Sequence, residues 1–105
     1  MSAKGRRTGI QFTGEIDGSF VEATREALTA ALTDAVPPQP VVLDLTEVGF
    51  LGSLGLAELL SAHRRATTQG TPLRIMTAQG PVLRTLERTG MTALFDIHPD
   101  LSTVL

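Results

Sequence analysis

Ser53 is the side chain of this sequence best placed for chemistry, because it stands between a strand-like and a helix-like segment. The apolar run at residues 41–45 predicts a strand covered on both faces. Apolar residues spaced three and four apart after Leu54 predict a helix that ends at Gly70. A hydroxyl at the first turn can cap free backbone N–H groups. The same groups and the helix dipole favour a phosphate, so the position predicts either a structural cap or a phosphorylation site.

The sequence offers few partners for catalysis at Ser53. His63 is predicted on the apolar side of its helix, where a packed histidine is expected rather than a metal ligand, and His98 precedes Pro99 without any motif. The nucleophile-elbow pattern is absent, and neither histidine has a second ligand at metal-site spacing. We therefore predict no catalytic residue, no metal site and no bound cofactor.

Gly49, Gly52 and Gly55 raise the alternative of a phosphate-binding loop. Their spacing is neither that of the P-loop nor that of the dinucleotide fingerprint, and no lysine stands at the helix start. The predicted role of these glycines is therefore tight turning and close packing. A nucleotide at the helix mouth stays open as an alternative, because unpaired N–H groups there can bind an anion.

The segments around Ser53 alternate between strands and helices, which predicts a layered α/β domain. The first half is predicted to contain a half-exposed strand at 10–16, a helix that begins with a capping box of Ser19 and Glu22, and a proline-rich linker at 37–40. The central strand at 41–45 and a strand-to-helix connection at 48–52 then lead to the Ser53 helix. After it we predict a strand at 73–76, a helix from Pro81 to Gly90, a short strand at 95–97 and a terminal helix at 99–105.

Composition predicts one small domain. The chain has 105 residues, 42% of them hydrophobic, 9 basic and 11 acidic residues, a formal charge of −2 and no cysteine. We predict a flexible tail at residues 1–8, in which Lys4, Arg6 and Arg7 are solvated, followed by a domain at 9–105. No apolar segment approaches the roughly 20 residues that span a bilayer. These features predict a cytoplasmic protein with no direct nucleic acid partner and no membrane insertion.

Two motifs resemble the STAS domain family, the module shared by anti-sigma factor antagonists and sulphate transporters. Residues 44–56, DLTEVGFLGSLGL, follow without a gap the family pattern of an apolar strand ending in Asp-Leu and leading to Asp-Ser-Ser/Thr-Gly-Leu. Residues 14–17, GEID, correspond to an upstream Gly-Glu-Leu-Asp. The motif Asp is Gly52 here, and the residue after the serine is Leu54. The resemblance implies a small STAS-like α/β domain with a mixed β-sheet and helices packed against it.

The resemblance implies an anti-sigma factor antagonist, a binding module rather than an enzyme. In such antagonists a partner kinase phosphorylates the serine that follows the motif Asp, and the matching position is Ser53. The implied partners are an anti-sigma factor serine kinase, to which ATP and magnesium belong, and a serine phosphatase that resets the switch; a homodimer stays open. The predicted partner-binding residues are Asp17, Leu51, Gly52, Ser53, Leu54 and Glu58.

Gly52 and Leu54 favour an alternative from another class. Both substitutions make the motif loop less polar, as expected if the loop packs permanently against a partner. The alternative is a STAS scaffold without phosphorylation, or an accessory subunit of a lipid-transport ATPase. Hydrolase activity at Ser53 is a third interpretation, for which no motif positions a base.

Overall fold

The computed structural model describes residues 2–6, 9–78, 80–100 and 102. Its elements, in chain order, are β1 (Ser2–Arg6), β2 (Gly9–Ile16), α1 (Val21–Asp34), β3 (Val41–Leu51), α2 (Ser53–Gln69), β4 (Leu73–Met76), α3 (Pro81–Arg88), a 3₁₀ turn (Met91–Ala93) and β5 (Asp96–His98). From β2 onward, strands alternate with helical segments. This alternation confirms the predicted α/β class.

The strands form one five-stranded sheet in the order β1-β2-β3-β4-β5. Strands β2 to β5 run parallel, whereas β1 runs antiparallel to β2 at one side. The sheet is therefore mixed, as predicted. The carboxyl ends of its parallel strands meet at one end of the sheet, which we call the carboxyl end.

Residues 2–6 belong to the sheet, which corrects the prediction of a flexible tail at residues 1–8 for this part of it. They pair with β2, from Ser2 opposite Thr13 to Arg6 opposite Gly9. The prediction was based on the charge and glycine content of the segment alone. The open edge of β2 offers backbone hydrogen-bonding partners, which the composition of the segment does not reveal.

Strand β3 is longer than predicted. The expected connection at 48–52 is almost entirely strand, because β3 continues from the apolar run to Leu51. The register between β2 and β3 shifts along this part, where Gly14 pairs with Val48 and Glu15 pairs with Phe50. These irregularities accommodate the glycine-rich sequence within the sheet. Gly52 alone is left to connect β3 with α2.

Helices α1 and α2 run parallel to each other, because each one follows a parallel strand and returns along the sheet. Contacts between them recur along their length, with Arg25 bonded to Glu58 and Arg65 bonded to Thr33 further along. Helices α1, α2 and α3 share one apolar core with the strands. Its fully buried side chains include Phe12, Ile16, Leu43, Leu45, Leu59, Ile75, Val82 and Leu86. Within the described residues, no helix is long and apolar enough to cross a membrane.

Helix α1 begins without the predicted capping box of Ser19 and Glu22. Its cap residue is Phe20, and no side chain caps the helix. The N–H of Ser19 instead donates to Oδ1 of Asp17 at 2.9 Å. The Asp17 carboxylate therefore organises the turn before the helix, and the helix starts one residue later than a Ser19 cap would place it.

The other helix boundaries largely follow the sequence signals. Helix α2 ends at Gly70, whose φ of 77° is the left-handed conformation that glycine adopts readily. Helix α3 begins at Pro81, and β5 begins at Asp96, one residue later than predicted. The predicted terminal helix at 99–105 lies largely outside the described residues.

Candidate functional site

The site is built where β2 and β3 end side by side at the carboxyl end of the sheet. Ile16 and Leu51, the last residues of the two strands, pair in the parallel ladder. The N–H of Gly52 then donates to the carbonyl oxygen of Ile16 at 2.8 Å. This hydrogen bond fixes the single connecting residue, so that Ser53 is the first residue of α2.

Ser53 is exposed and does not cap its helix, which corrects the predicted structural role. The cap residue is Gly52, with φ −84° and ψ 174°, and α2 has no side-chain cap. The extension of β3 to Leu51 moves the cap one residue before the serine. The first hydrogen bond of the helix joins the N–H of Leu56 to the carbonyl of Gly52 at 2.9 Å. The N–H groups that precede it belong to the unpaired first turn, which favours negative charge.

Gly55 allows α2 to start this close to the sheet. A Cβ at this position would lie 2.5 Å from Cγ2 of Ile16 and 2.8 Å from the Ile16 carbonyl oxygen. Both distances are shorter than any ordinary contact of a side chain, and the oxygen belongs to the backbone of β2. The absence of a side chain at Gly55 therefore sets the height of Ser53 above the sheet.

Two half-exposed apolar side chains flank Ser53, each packed beside a glycine. Phe50 is 50% exposed and Leu54 is 53% exposed. Atom Cε2 of Phe50 lies 3.2 Å from the point where Gly52 would carry a Cβ, and Cδ1 of Leu54 lies 3.3 Å from the equivalent point of Gly18. We call Phe50, Ser53 and Leu54 the Ser53 surface.

Phe50 is not among the predicted partner-binding residues. A usable signal was present, because a large aromatic residue beside two glycines has few neighbouring side chains to cover it. Its exposure also depends on its place opposite Glu15 in the register of β2 and β3, which only the folded sheet determines.

The predicted partner-binding residues separate into two groups. Gly52, Ser53 and Leu54 lie together at the carboxyl end, and Cα of Asp17 is 3.6 Å from the Cβ position of Gly52. Leu51 does not belong to this surface, because it is only 2% exposed and forms part of the apolar core. Its position as the last residue of β3 points its side chain inward, which the predicted loop did not anticipate.

Glu58 is held by a neighbouring helix rather than presented to solvent. Its side chain is 11% exposed and accepts a hydrogen bond from Nε of Arg25 at 2.7 Å. Arg25 also pairs with Glu22 on its own helix. The hydrogen bond that Arg25 donates to Glu58, together with the charges of both glutamates, raises the pKa of Arg25 above its ordinary value. This charge cluster ties α1 to α2 below the Ser53 surface.

The two histidines lie in other environments. The ring of His63 makes an edge-to-face contact with Phe95, with centroids 5.6 Å apart at 82°. Atom Nε2 of His98 is 2.8 Å from Oδ1 of Asp96 on the short strand β5, which lies two strands away from β3. The Ser53 surface exposes a hydroxyl beside two apolar side chains.

Comparisons with known proteins give a consistent assignment. The model of the STAS domain family matches residues 3–104. A Mycobacterium tuberculosis protein, whose name marks it as a proposed anti-anti-sigma factor, is 32% identical over 96 residues, which cover 91% of this chain. The anti-sigma-F factor antagonist RsfA of the same species is 25% identical over 96 residues, again 91% of this chain. This chain spans 65% of the length of the first relative and 75% of the second.

A solved structure agrees with these sequence matches. The crystal structure of an anti-sigma factor antagonist from Mycobacterium paratuberculosis superimposes with a TM-score of 0.83 and 25% sequence identity. The alignment covers 98% of this chain and 87% of that protein. The family model spans both the sheet and the Ser53 surface, and this chain belongs to the STAS domain family.

Proposed function

We propose that this chain is an anti-sigma factor antagonist that binds a kinase-type anti-sigma factor through the Ser53 surface and is released by phosphorylation of Ser53. The observation that carries the proposal is the exposed hydroxyl at the first position of α2, flanked by half-exposed Phe50 and Leu54. A kinase can reach this hydroxyl without any local unfolding. The named relatives support the choice of partner.

The same geometry explains why phosphorylation would release the partner. In the unmodified state the Ser53 surface is apolar and carries no charged side chain in the first turn of α2. A phosphate adds about −1.5 to −2 charges. The unpaired N–H groups of the first turn stabilise that phosphate in the free protein. In the complex it would have to be desolvated between apolar surfaces, which weakens binding.

The proposed cycle requires two further proteins. The anti-sigma factor kinase supplies ATP and magnesium, so that this chain needs no cofactor of its own. A serine phosphatase removes the phosphate and restores binding. Because sigma factors act in the cytoplasm, the cycle also assigns the chain to that compartment.

Substitution of Ser53 tests the proposal. Ser53→Ala keeps the surface uncharged, and we expect it to bind the kinase with the affinity of unmodified protein and to escape phosphorylation. Ser53→Asp places one negative charge there, and we expect at least about tenfold weaker binding, a loss of roughly 1.4 kcal/mol. Calorimetry and intact-protein mass spectrometry provide the two measurements. Loss of binding in Ser53→Ala would instead make the hydroxyl a direct contact.

A permanent STAS scaffold, or an accessory subunit of a lipid-transport ATPase, is the second candidate. The exposure of Phe50 and Leu54 favours it, because a lasting interface would cover apolar side chains of this size. Mass spectrometry of the tagged protein recovered from its native cells separates the candidates. A kinase-type anti-sigma factor together with phosphorylated Ser53 supports the switch. A transport ATPase or scaffold proteins, with Ser53 unmodified during growth and stress, supports the second candidate.

A further inference from the structure

An open groove between α1 and α2 lies beside the Ser53 surface. Its volume is about 470 Å³, and its floor is formed by Leu28, Leu32 and Ala62. These three side chains are between 3% and 5% exposed, so that little of each one faces the groove. Cavities of a few hundred Å³ can receive a small molecule or one or two large side chains of a partner.

The two ends of the groove differ in charge. At one end Arg25 is paired with Glu58 and Glu22. At the other end Arg65 donates from Nη2 to Oγ1 of Thr33 at 2.8 Å and from Nε to Oε1 of Gln69 at 3.4 Å.

Both acceptors of Arg65 are neutral, and among the described residues none of the ion pairs involves this guanidinium. Arg65 is therefore a positioned positive charge that lacks a carboxylate partner. It lies directly beside the apolar floor.

The groove is continuous with the Ser53 surface. Leu54, Glu58 and Arg65 are separated by four and seven residues, which places them on one face of α2. At 1.5 Å per residue, the distance along the helix from Leu54 to Arg65 is about 16 Å. An extended segment of about five residues covers that distance. A partner centred on Ser53 can thus reach Arg65 with one short segment.

We propose that the anti-sigma factor bound at the Ser53 surface also lays a segment along this groove, with one side chain filling part of its volume and a carboxylate on Arg65. The inference rests on the proposed function and adds a second contact that phosphorylation does not modify. We infer a carboxylate from charge complementarity, because Arg65 lies at the end of the groove where the hydrogen-bond acceptors are neutral. A guanidinium pairs with a carboxylate through two parallel hydrogen bonds.

Charge reversal at Arg65 tests the inference. The binding probe is the purified kinase-type anti-sigma factor that copurifies with the wild-type chain, titrated by calorimetry at low and high salt. We expect Arg65→Glu to weaken binding about tenfold or more at low salt, and by less at high salt, because salt screens the repulsion between the new carboxylate and that of the partner. The matched control is Arg64→Glu, which makes the same charge change at the adjacent exposed residue outside the groove. For this control we expect less than about a threefold effect.

A second pair of variants fills the groove without changing charge. Thr29 lines the groove from α1, whereas its neighbour Ala30 is exposed and does not line it. We expect Thr29→Trp to weaken binding and Ala30→Trp to leave it unchanged, with circular dichroism showing that both variants are folded.

Equal affinities within both pairs would overturn the groove contact and leave the Ser53 switch standing. Failure of every kinase-type anti-sigma factor to bind the wild type would overturn the switch and the groove contact together.

Discussion

The Ser53 surface and the α1/α2 groove adjoin on the same helix, yet they present charge in opposite ways. At the Ser53 surface the first turn of α2 is uncharged, and apolar side chains are half exposed around a hydroxyl. In the groove the apolar floor is almost covered, and charged side chains form the ends. A phosphate on Ser53 would therefore add nearly two negative charges to a surface whose own side chains are uncharged. The charges of the groove are fixed, and only the strength of their interactions changes with salt.

The largest effect is expected from a substitution of Gly55, because this residue positions α2, which carries both the Ser53 surface and one side of the groove. Gly55→Ala places a Cβ 2.5 Å from Cγ2 of Ile16 and 2.8 Å from its carbonyl oxygen. The start of α2 must move away from the sheet, because the backbone oxygen cannot rotate aside. Overpacking of this kind costs about 1 to 3 kcal/mol. Alanine recovers part of this through its better helix propensity, by up to about 1 kcal/mol. We expect a net loss of roughly 1 to 2 kcal/mol in the free energy of unfolding, measured by urea denaturation.

Gly49→Ala is the control for this substitution. A Cβ at Gly49 would have the carbonyl oxygen of Gly14 as its nearest neighbour, at 4.0 Å. The space is open, and alanine is less flexible than glycine in a strand, so the stability should stay the same or rise slightly. Equal destabilisation by both variants would contradict the special role of Gly55.

A smaller effect is expected from truncation of the apolar side chains of the Ser53 surface, which should weaken binding with little loss of folding stability. Phe50→Ala and Leu54→Ala each remove an apolar side chain that is half exposed. We expect each variant to lose less than about 1 kcal/mol of folding stability. Each variant should bind the anti-sigma factor about tenfold more weakly, because the lost area belongs to the proposed interface. Calorimetric titration beside urea denaturation measures the two quantities in the same samples.

Val36→Ala provides the comparison for those variants. Val36 is also apolar and 63% exposed, but it precedes β3 and so lies at the end of the strand opposite to Ser53. Its truncation should leave the affinity unchanged. If Val36→Ala weakens binding as much as Leu54→Ala, the interface is not confined to the carboxyl end.

The sequence predicted the elements that position Ser53 better than it predicted their details. The apolar run at 41–45 correctly identified β3, and the helical spacing after Leu54 correctly identified α2 up to Gly70. The continuation of β3 to Leu51 was missed because Gly49 and the exposed Phe50 do not follow a strand pattern. Pairing with β2 supplies the hydrogen bonds that hold this part of the strand, and such a long-range contact leaves little local signal.

The same limit applies to the predicted site. Ser53 was placed correctly at the helix mouth, but the longer strand buries Leu51 and moves the cap to Gly52. The pairing of Glu58 with Arg25 joins residues that are 33 positions apart. It depends on the parallel packing of α1 and α2, as does the groove between these helices. Periodicity shows which face of a helix is apolar, and it does not show which neighbouring helix the face meets.

The smallest effect is expected from Gly52→Asp, which places a negative charge beside the Ser53 surface. Gly52 has the extended backbone of a helix cap, with φ −84° and ψ 174°, and this conformation is open to other residues. A side chain here would displace Phe50 slightly, because Cε2 of that ring lies 3.2 Å from the Cβ position. Gly52→Asp can accept a hydrogen bond from the N–H of Leu54 or Gly55, and we expect a gain of a few tenths of a kcal/mol in folding stability.

Gly52→Asn forms the same cap without the charge, and it therefore isolates the electrostatic part. If the neutrality of the Ser53 surface matters for binding, Gly52→Asp should bind the anti-sigma factor more weakly than Gly52→Asn, although both helices are equally capped. The difference should be smaller than that produced by phosphorylation of Ser53, because one charge replaces nearly two. Equal affinities of the two variants would show that the partner tolerates a carboxylate at residue 52. The replacement of the motif Asp by Gly52 would then have no effect on binding.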